Sequence, residues 1–187
     1  MGRWEPGARE RLVEAALDLF ADPGFEETTV ADIAARAGVT ERTFFRHFAD
    51  KREVLFAGSD EFQATVLTAI EAAPAGLSPL EAASAGMEAA AAFLQSRPDR
   101  EFPRRRAAAI AANRSLQERE LLKLATVATE SARALAGRGV PVIEAAVAAE
   151  AAMAAFRLAF ERWVTAHEVL DLRELVRERV AAFRTLA

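Results

Sequence analysis

An all-α protein of about nine helices is what this sequence predicts, and three observations predict it. No useful length of chain alternates apolar and polar residues with the period of two that a half-buried strand requires. Apolar side chains recur instead three and four positions apart, the spacing of one helical face. Helix-start signals, a Ser, Thr or Asp followed three residues on by an acidic residue, return along the whole chain.

The elements follow in order. Residues 8–21 repeat Leu12, Ala16, Leu19 and Phe20 on one face, and "DPGF" then breaks the pattern with proline and glycine. In "TTVADIAARAG", Thr29 serves as N-cap with Asp32 three residues later, and Gly38 is the stop. Thr40 starts a short helix that ends near Phe48. Asp50 with Glu53 is expected to start a helix running unbroken to about Ala72. "SPLE" places Ser78 at N-cap, Pro79 at the first helical position and Glu81 at the third. "SLQE" at 115–118 and "DLRE" at 171–174 repeat that pattern, while "GVP" at 139–141 opens a long helix to about Ala166.

Composition narrows the function. The chain has 187 residues, 52% of them apolar, enough for a packed core and too much for a disordered chain. It contains no cysteine, which excludes disulfides, thiolate metal sites and cysteine nucleophiles and fits a cytoplasmic location. The start of the chain lacks the apolar run of a signal peptide, and the Ala-rich stretch around 145–160 is broken by Glu150 and Arg157, so no membrane span is expected. An enzyme is not expected, because no HExxH, GxSxG or phosphate-loop pattern occurs. Catalytic residues, metal ligands and cofactors are therefore all expected to be absent.

The overall charge is −4, yet Arg36, Arg42, Arg46, Lys51 and Arg52 face only Glu41 and Asp50 between positions 36 and 52, a local excess of +3. Within that segment, "VTERTFFRHF" mixes three phenylalanines with two arginines. Phe44 and Phe48, four apart, share one face and suit burial. Glu41, Arg42, Thr43, Phe45 and Arg46 then lie on the faces left open. Together with the preceding helix and its glycine turn, this describes a helix-turn-helix whose second helix enters the DNA major groove. Arg42 offers a guanidinium fork to guanine, and a threonine or the Phe45 ring meets a thymine methyl. His47 and Lys51 sit where phosphate contacts would set the register.

The residues from Phe20 to Phe56 resemble the DNA-binding domain of the tetracycline-repressor (TetR) family. The likeness rests on "GF" before the second helix, "TTVADIAARAGV", the Thr-aromatic-aromatic-x-His-Phe run, and the "DK" that follows. It implies a recognition helix at Thr40–Phe48, with phosphate contacts from Thr29, His47 and Lys51. Position 45 departs from it: the family usually has a tyrosine there whose hydroxyl reaches a phosphate, and Phe45 has none. The resemblance also implies a second, helical domain that binds a ligand and dimerises. The segment from Arg104 to Pro141 resembles an actinobacterial subgroup, some of whose members sense acyl-CoA-like molecules.

The expected domains are 1–52, binding DNA, and 53–187, binding an effector and a second copy. Phe62, Val66, Met87, Phe93, Phe102, Phe156, Phe160 and Trp163 are candidates for an effector pocket between helices. The run "RPDREFPRRR" at 97–106 is a solvated face, or a patch for an anionic ligand group, with Arg104–Arg106 the candidates. Residues 142–166 are apolar almost all round, and 172–186 carry a stripe through Leu175, Val176, Val180 and Phe183. Such a pair suits a two-fold four-helix interface, with Ala149, Ala152, Met153, Leu175, Val176 and Phe183 at the contact. The expected protein is thus a dimeric transcription regulator, most simply a repressor, that binds a palindromic double-stranded operator and is released by a small hydrophobic or amphipathic effector. The alternative is a helical carrier or adaptor that binds a lipid or small molecule without DNA.

Overall fold

The computed structural model describes residues 7–97, 99 and 101–185, and among these every regular element is helical. Pro98 and Arg100 of the arginine-rich run lie outside the described residues. Nine α-helices are described: α1 (Ala8–Leu19), α2 (Val30–Arg36), α3 (Glu41–His47), α4 (Ser59–Glu71), α5 (Pro79–Gln95), α6 (Phe102–Ala111), α7 (Arg114–Gly137), α8 (Val142–Thr165) and α9 (Leu172–Arg184). None of the described helices is long and apolar enough to cross a membrane.

Contacts divide the chain into two compact units, one of residues up to Gly58 with Arg105–Glu120, the other of Ser59–Arg104 with the residues from Leu121 onward. The expected boundary at 52/53 falls just before a short 3₁₀ turn, Glu53–Phe56, which packs on α1.

In the first unit, α1 buries Leu12, Val13, Ala16 and Leu17 against α2 and α3. After α1 the chain makes a wide turn over Phe20–Gly24, where Phe20 and Phe25 meet edge to face at 5.0 Å. The buried Thr28 hydroxyl closes that turn, donating toward the carbonyls of Gly24 (2.7 Å) and Leu19 (3.1 Å). The expected helix from Asp50 to about Ala72 is instead interrupted. Val54, Leu55 and Phe56 are all buried, and three consecutive inward residues cannot share one face of an α-helix. The chain tightens into the 3₁₀ turn, reverses at Gly58 (φ 91°), and only then begins α4. Asp50 still accepts from the N–H groups of Arg52 (2.8 Å) and Glu53 (3.1 Å).

Residues 105–120 carry a second correction. The cap of α7 is Asn113, whose side-chain oxygen accepts from the N–H groups of Ser115 (3.0 Å) and Leu116 (3.2 Å). Ser115, expected to be the cap, lies within the helix.

In the second unit, α5 lies against α4, α8 and α9, and α8 against α9. The Ser78–Glu81 box starts α5 as expected, with Pro79 at its first position. Gly86 lets α4 approach: a Cβ there would lie 2.8 Å from a side-chain carbon of Ile70 and 3.0 Å from the Val66 carbonyl oxygen. Asp171 caps α9, accepting from the N–H groups of Arg173 and Glu174.

The residues expected at a contact with a second copy lie elsewhere. Ala149, Ala152, Met153 and Val176 are 3% exposed or less, and Leu175 and Phe183 pack in the same cluster. The reason is geometric. A helix this rich in alanine allows close approach on any side, and α5 and α9 take the side that carries Ala145, Ala149, Ala152 and Phe156. The side left open presents Val142, Ile143, Val147 and Leu158, all more than half exposed.

Candidate nucleic-acid interface

The site is built on α3, two turns long and held from three directions. At its start the Thr40 side chain accepts from the Thr43 N–H (3.2 Å), and the two threonine hydroxyls lie 3.1 Å apart. Beneath it Phe44 is fully buried and Phe48 nearly so, their rings 5.6 Å apart. Before it the turn from α2 closes through two hydrogen bonds, Gly38 N–H to Ala35 O (3.1 Å) and Val39 N–H to Ala34 O (2.9 Å). That pairing requires a left-handed residue between the helices, and Gly38 supplies it at φ 67°. The angle between α2 and α3 is therefore set by backbone chemistry, and the depth of α3 by two phenyl rings.

The open face is where the charge lies. Glu41, Arg42, Phe45 and Arg46 are all exposed. Among the described residues, neither Arg42 nor Arg46 has a hydrogen-bond or ion-pair partner, whereas Arg36 pairs with Asp18 at 2.7 Å and Arg52 with Asp50 at 2.8 Å. Two guanidinium groups, one turn apart and unneutralised among the described residues, form a cationic edge that suits an anionic or base-edge partner. Phe45 stands beside them, 56% exposed, its ring edge-on to Phe44 at 5.4 Å and 81°. His47 is half-buried, and among the described residues its Nε2 is enclosed without a hydrogen-bond partner.

Two of the expected phosphate contacts are otherwise engaged. The Thr29 hydroxyl accepts from the Asp32 N–H (3.1 Å) and donates to the Asp32 carboxylate (2.6 Å). That bond and the Thr29 N–H hold the Asp32 carboxyl below its usual range. Lys51 points inward: its ammonium donates to the carbonyls of Phe25 (2.7 Å), Thr28 (2.9 Å) and Glu26 (3.3 Å) and lies 4.3 Å from the Phe25 ring centre. An ammonium has three N–H groups, and three carbonyls take them. Lys51 thus ties the chain entering α2, and its spacing in the sequence carries no sign of this.

Residues 105–120, which the sequence did not mark as part of this unit, buttress it. Arg106 donates to the Leu55 carbonyl (2.7 Å) and, through both terminal nitrogens, to Glu120. Arg119 pairs with Glu53 at 2.7 Å, and Asn113 donates to Glu26 at 2.7 Å.

In the second unit, four of the expected pocket residues form one aromatic row, Phe62–Phe156–Phe160–Trp163, with ring centres 5.5, 6.1 and 5.9 Å apart. Val66, Met87 and Phe156 are buried in the core and Phe102 is nearly so, while Phe93 is half-buried. Trp163 also borders an opening of about 400 Å³ shared with Leu94, Arg97, Arg104 and His167.

Comparison with known proteins agrees with this geometry. Residues 12–57 match the bacterial regulatory proteins of the tetR family. The HTH-type transcriptional regulator TcmR of Streptomyces glaucescens is 44% identical over 81 residues, 43% of this chain and 36% of TcmR. The HTH-type transcriptional repressor KstR2 of Mycobacterium tuberculosis is 43% identical over 47 residues, 25% of this chain and 24% of that protein. These matches span about a third of TcmR and about a quarter of KstR2. The fold as a whole resembles that of SmeT, the repressor of the Stenotrophomonas maltophilia multidrug efflux pump SmeDEF. The likeness covers 95% of this chain and 89% of SmeT, with TM-score 0.61 and 21% identity. SmeT has also been solved in complex with triclosan, and that structure gives TM-score 0.62 and 23% identity over 94% of this chain and 90% of the other.

Proposed function

We propose that this chain, whose residues 12–57 match the bacterial regulatory proteins of the tetR family, is a sequence-specific DNA-binding transcriptional regulator, a repressor that a small molecule releases. One observation carries the reading: α3 is anchored by Phe44 and Phe48 while Arg42 and Arg46 stand exposed without partners among the described residues. A carrier or adaptor without DNA binding gains nothing from two unneutralised guanidinium groups on so short a helix. In the major groove, Arg42 forks onto guanine, Arg46 and His47 meet phosphates, and Thr40 and Thr43 flank the base edges. Glu41, at the first position of α3, favours a cytosine amino group and disfavours a phosphate.

Two-fold assembly accompanies this function. Ile143, Val147 and Leu158 recur along one side of α8 with Ala151 and Ala154 between them, an apolar strip with small residues at its middle. A second copy, turned about a two-fold axis, covers that strip with its own. Two such copies present two α3 helices to an inverted repeat, with half-site centres one helical turn, about 34–36 Å, or a multiple apart. Val147→Glu breaks the dimer and leaves a folded monomer, as light scattering and circular dichroism together would show.

The effector we propose is a small apolar or amphipathic organic molecule held in the second unit beside the aromatic row. The triclosan complex of SmeT supports an organic ligand for this fold. An acyl-CoA-like ligand with its anionic head at Arg104–Arg106 has less support, since each of these guanidinium groups already has partners.

The deciding experiment is selection of bound duplexes from a random DNA pool with the full chain. Enrichment of an inverted repeat is expected. A pool that stays unenriched while the protein is folded overturns the reading in favour of the carrier.

A further inference from the structure

Resting on the DNA-binding reading, we propose that Phe45 is a specificity residue that reads the 5-methyl group of one thymine in each half-site. A single exposed apolar side chain is ordinary on a protein surface. This one differs in place and preparation. It stands on the same open face of α3 as Glu41, Arg42 and Arg46, one turn beyond Glu41, so any duplex that the arginines engage meets the phenyl ring too. The ring rests edge to face on the fully buried Phe44, at 5.4 Å and 81°. Its orientation is therefore supported from below, and docking orders little that is not already ordered.

What the ring meets follows from its chemistry. It has no hydroxyl, so it donates no hydrogen bond to a phosphate oxygen, and covering a phosphate with a phenyl face strips water from a charge without replacing it. Guanine, adenine and cytosine present donors and acceptors at the floor of the major groove, whereas thymine adds a methyl group. A methyl is the one base-edge feature that a phenyl ring covers with gain. Burying a group of that size is worth about fourfold in affinity. Glu41, one turn back on the same side, adds selection by repulsion: it penalises registers that would bring a phosphate to that side of the helix.

The test exploits deoxyuridine, which differs from thymidine by this methyl alone. Each thymine of the selected inverted repeat is replaced in turn by deoxyuridine in both half-sites, and affinities are measured for the unsubstituted chain, Phe45→Ala and Phe45→Leu. Wild-type protein should lose about fourfold per half-site at a single thymine position. Phe45→Ala should bind the thymine and uracil duplexes equally, and Phe45→Leu should keep part of the discrimination. An affinity profile that is flat across every thymine in wild type overturns the assignment, as does a loss that persists in Phe45→Ala. A selected half-site without thymine overturns it as well. These results leave DNA binding intact, whereas failure of the DNA reading itself shows earlier, as a pool that never enriches, and takes this inference with it.

Discussion

Two groups of arginines, at 42 and 46 and at 104–106, look alike in the sequence and have opposite fates. Those on α3 are exposed and without partners among the described residues. In the second group Arg104 donates to the Ala166 carbonyl at 2.7 Å, Arg105 binds Glu14 and Asp18 at 3.1 and 2.8 Å, and Arg106 holds Leu55 and Glu120. Arginine density therefore says little by itself. What separates an arginine that builds the protein from one that meets a ligand is whether the chain has already supplied its carboxylates and carbonyls.

Four substitutions would break or sharpen that contrast. The largest effect is expected at Arg106→Met, which leaves the Leu55 carbonyl and the half-buried Glu120 carboxylate without their donor. Stability should fall by about 2–3 kcal/mol in a denaturant titration, with the DNA consensus unchanged. Arg42→Ala should do the reverse. Discrimination at one base pair of each half-site should relax by about 1–3 kcal/mol while stability moves by less than about 0.5 kcal/mol. A consensus that survives Arg42→Ala would remove this residue from base readout.

Lys51→Met probes a residue that the family resemblance and the geometry assign differently. Removing three hydrogen bonds to backbone carbonyls should cost about 1–2 kcal/mol of stability. The dependence of DNA affinity on salt should stay as it was. A slope of log affinity against log salt that flattens by about 0.9 per lost contact would return Lys51 to the phosphates. The smallest effect is expected at Arg105→Ala, whose pairs with Glu14 and Asp18 are solvent-exposed; stability in a denaturant titration should fall by less than about 1 kcal/mol.

What the sequence disclosed was local. The Thr29–Asp32 and Ser78–Glu81 boxes, the Gly38 stop and the Phe44–Phe48 anchor each depend on residues within four positions of one another, and each is present. What stayed hidden was set by partners far along the chain. Arg105 meets Glu14 across 91 positions, and Lys51 meets Phe25 across 26. The break after Asp50 arises because Val54, Leu55 and Phe56 all have to point inward, a demand made by tertiary packing against local helix preference. On α8 the difficulty was an excess of signal. A helix that is apolar almost all round does not announce which side is core, so Ala152 and Val147 look equivalent until α5 and α9 are in place.

Gly86 gives the second unit a mechanical character. Where α4 crosses α5 at this residue, the backbone carbonyl of Val66 and the side chain of Ile70 occupy the space that a methyl group would fill. Sliding α4 along α5 would drive Ile70 into the Cβ atoms of neighbouring residues, because no other glycine lies along this face of α5. Rotation about the crossing keeps the close approach intact. The notch therefore opposes translation of α4 along α5 more than it opposes rotation about the crossing point.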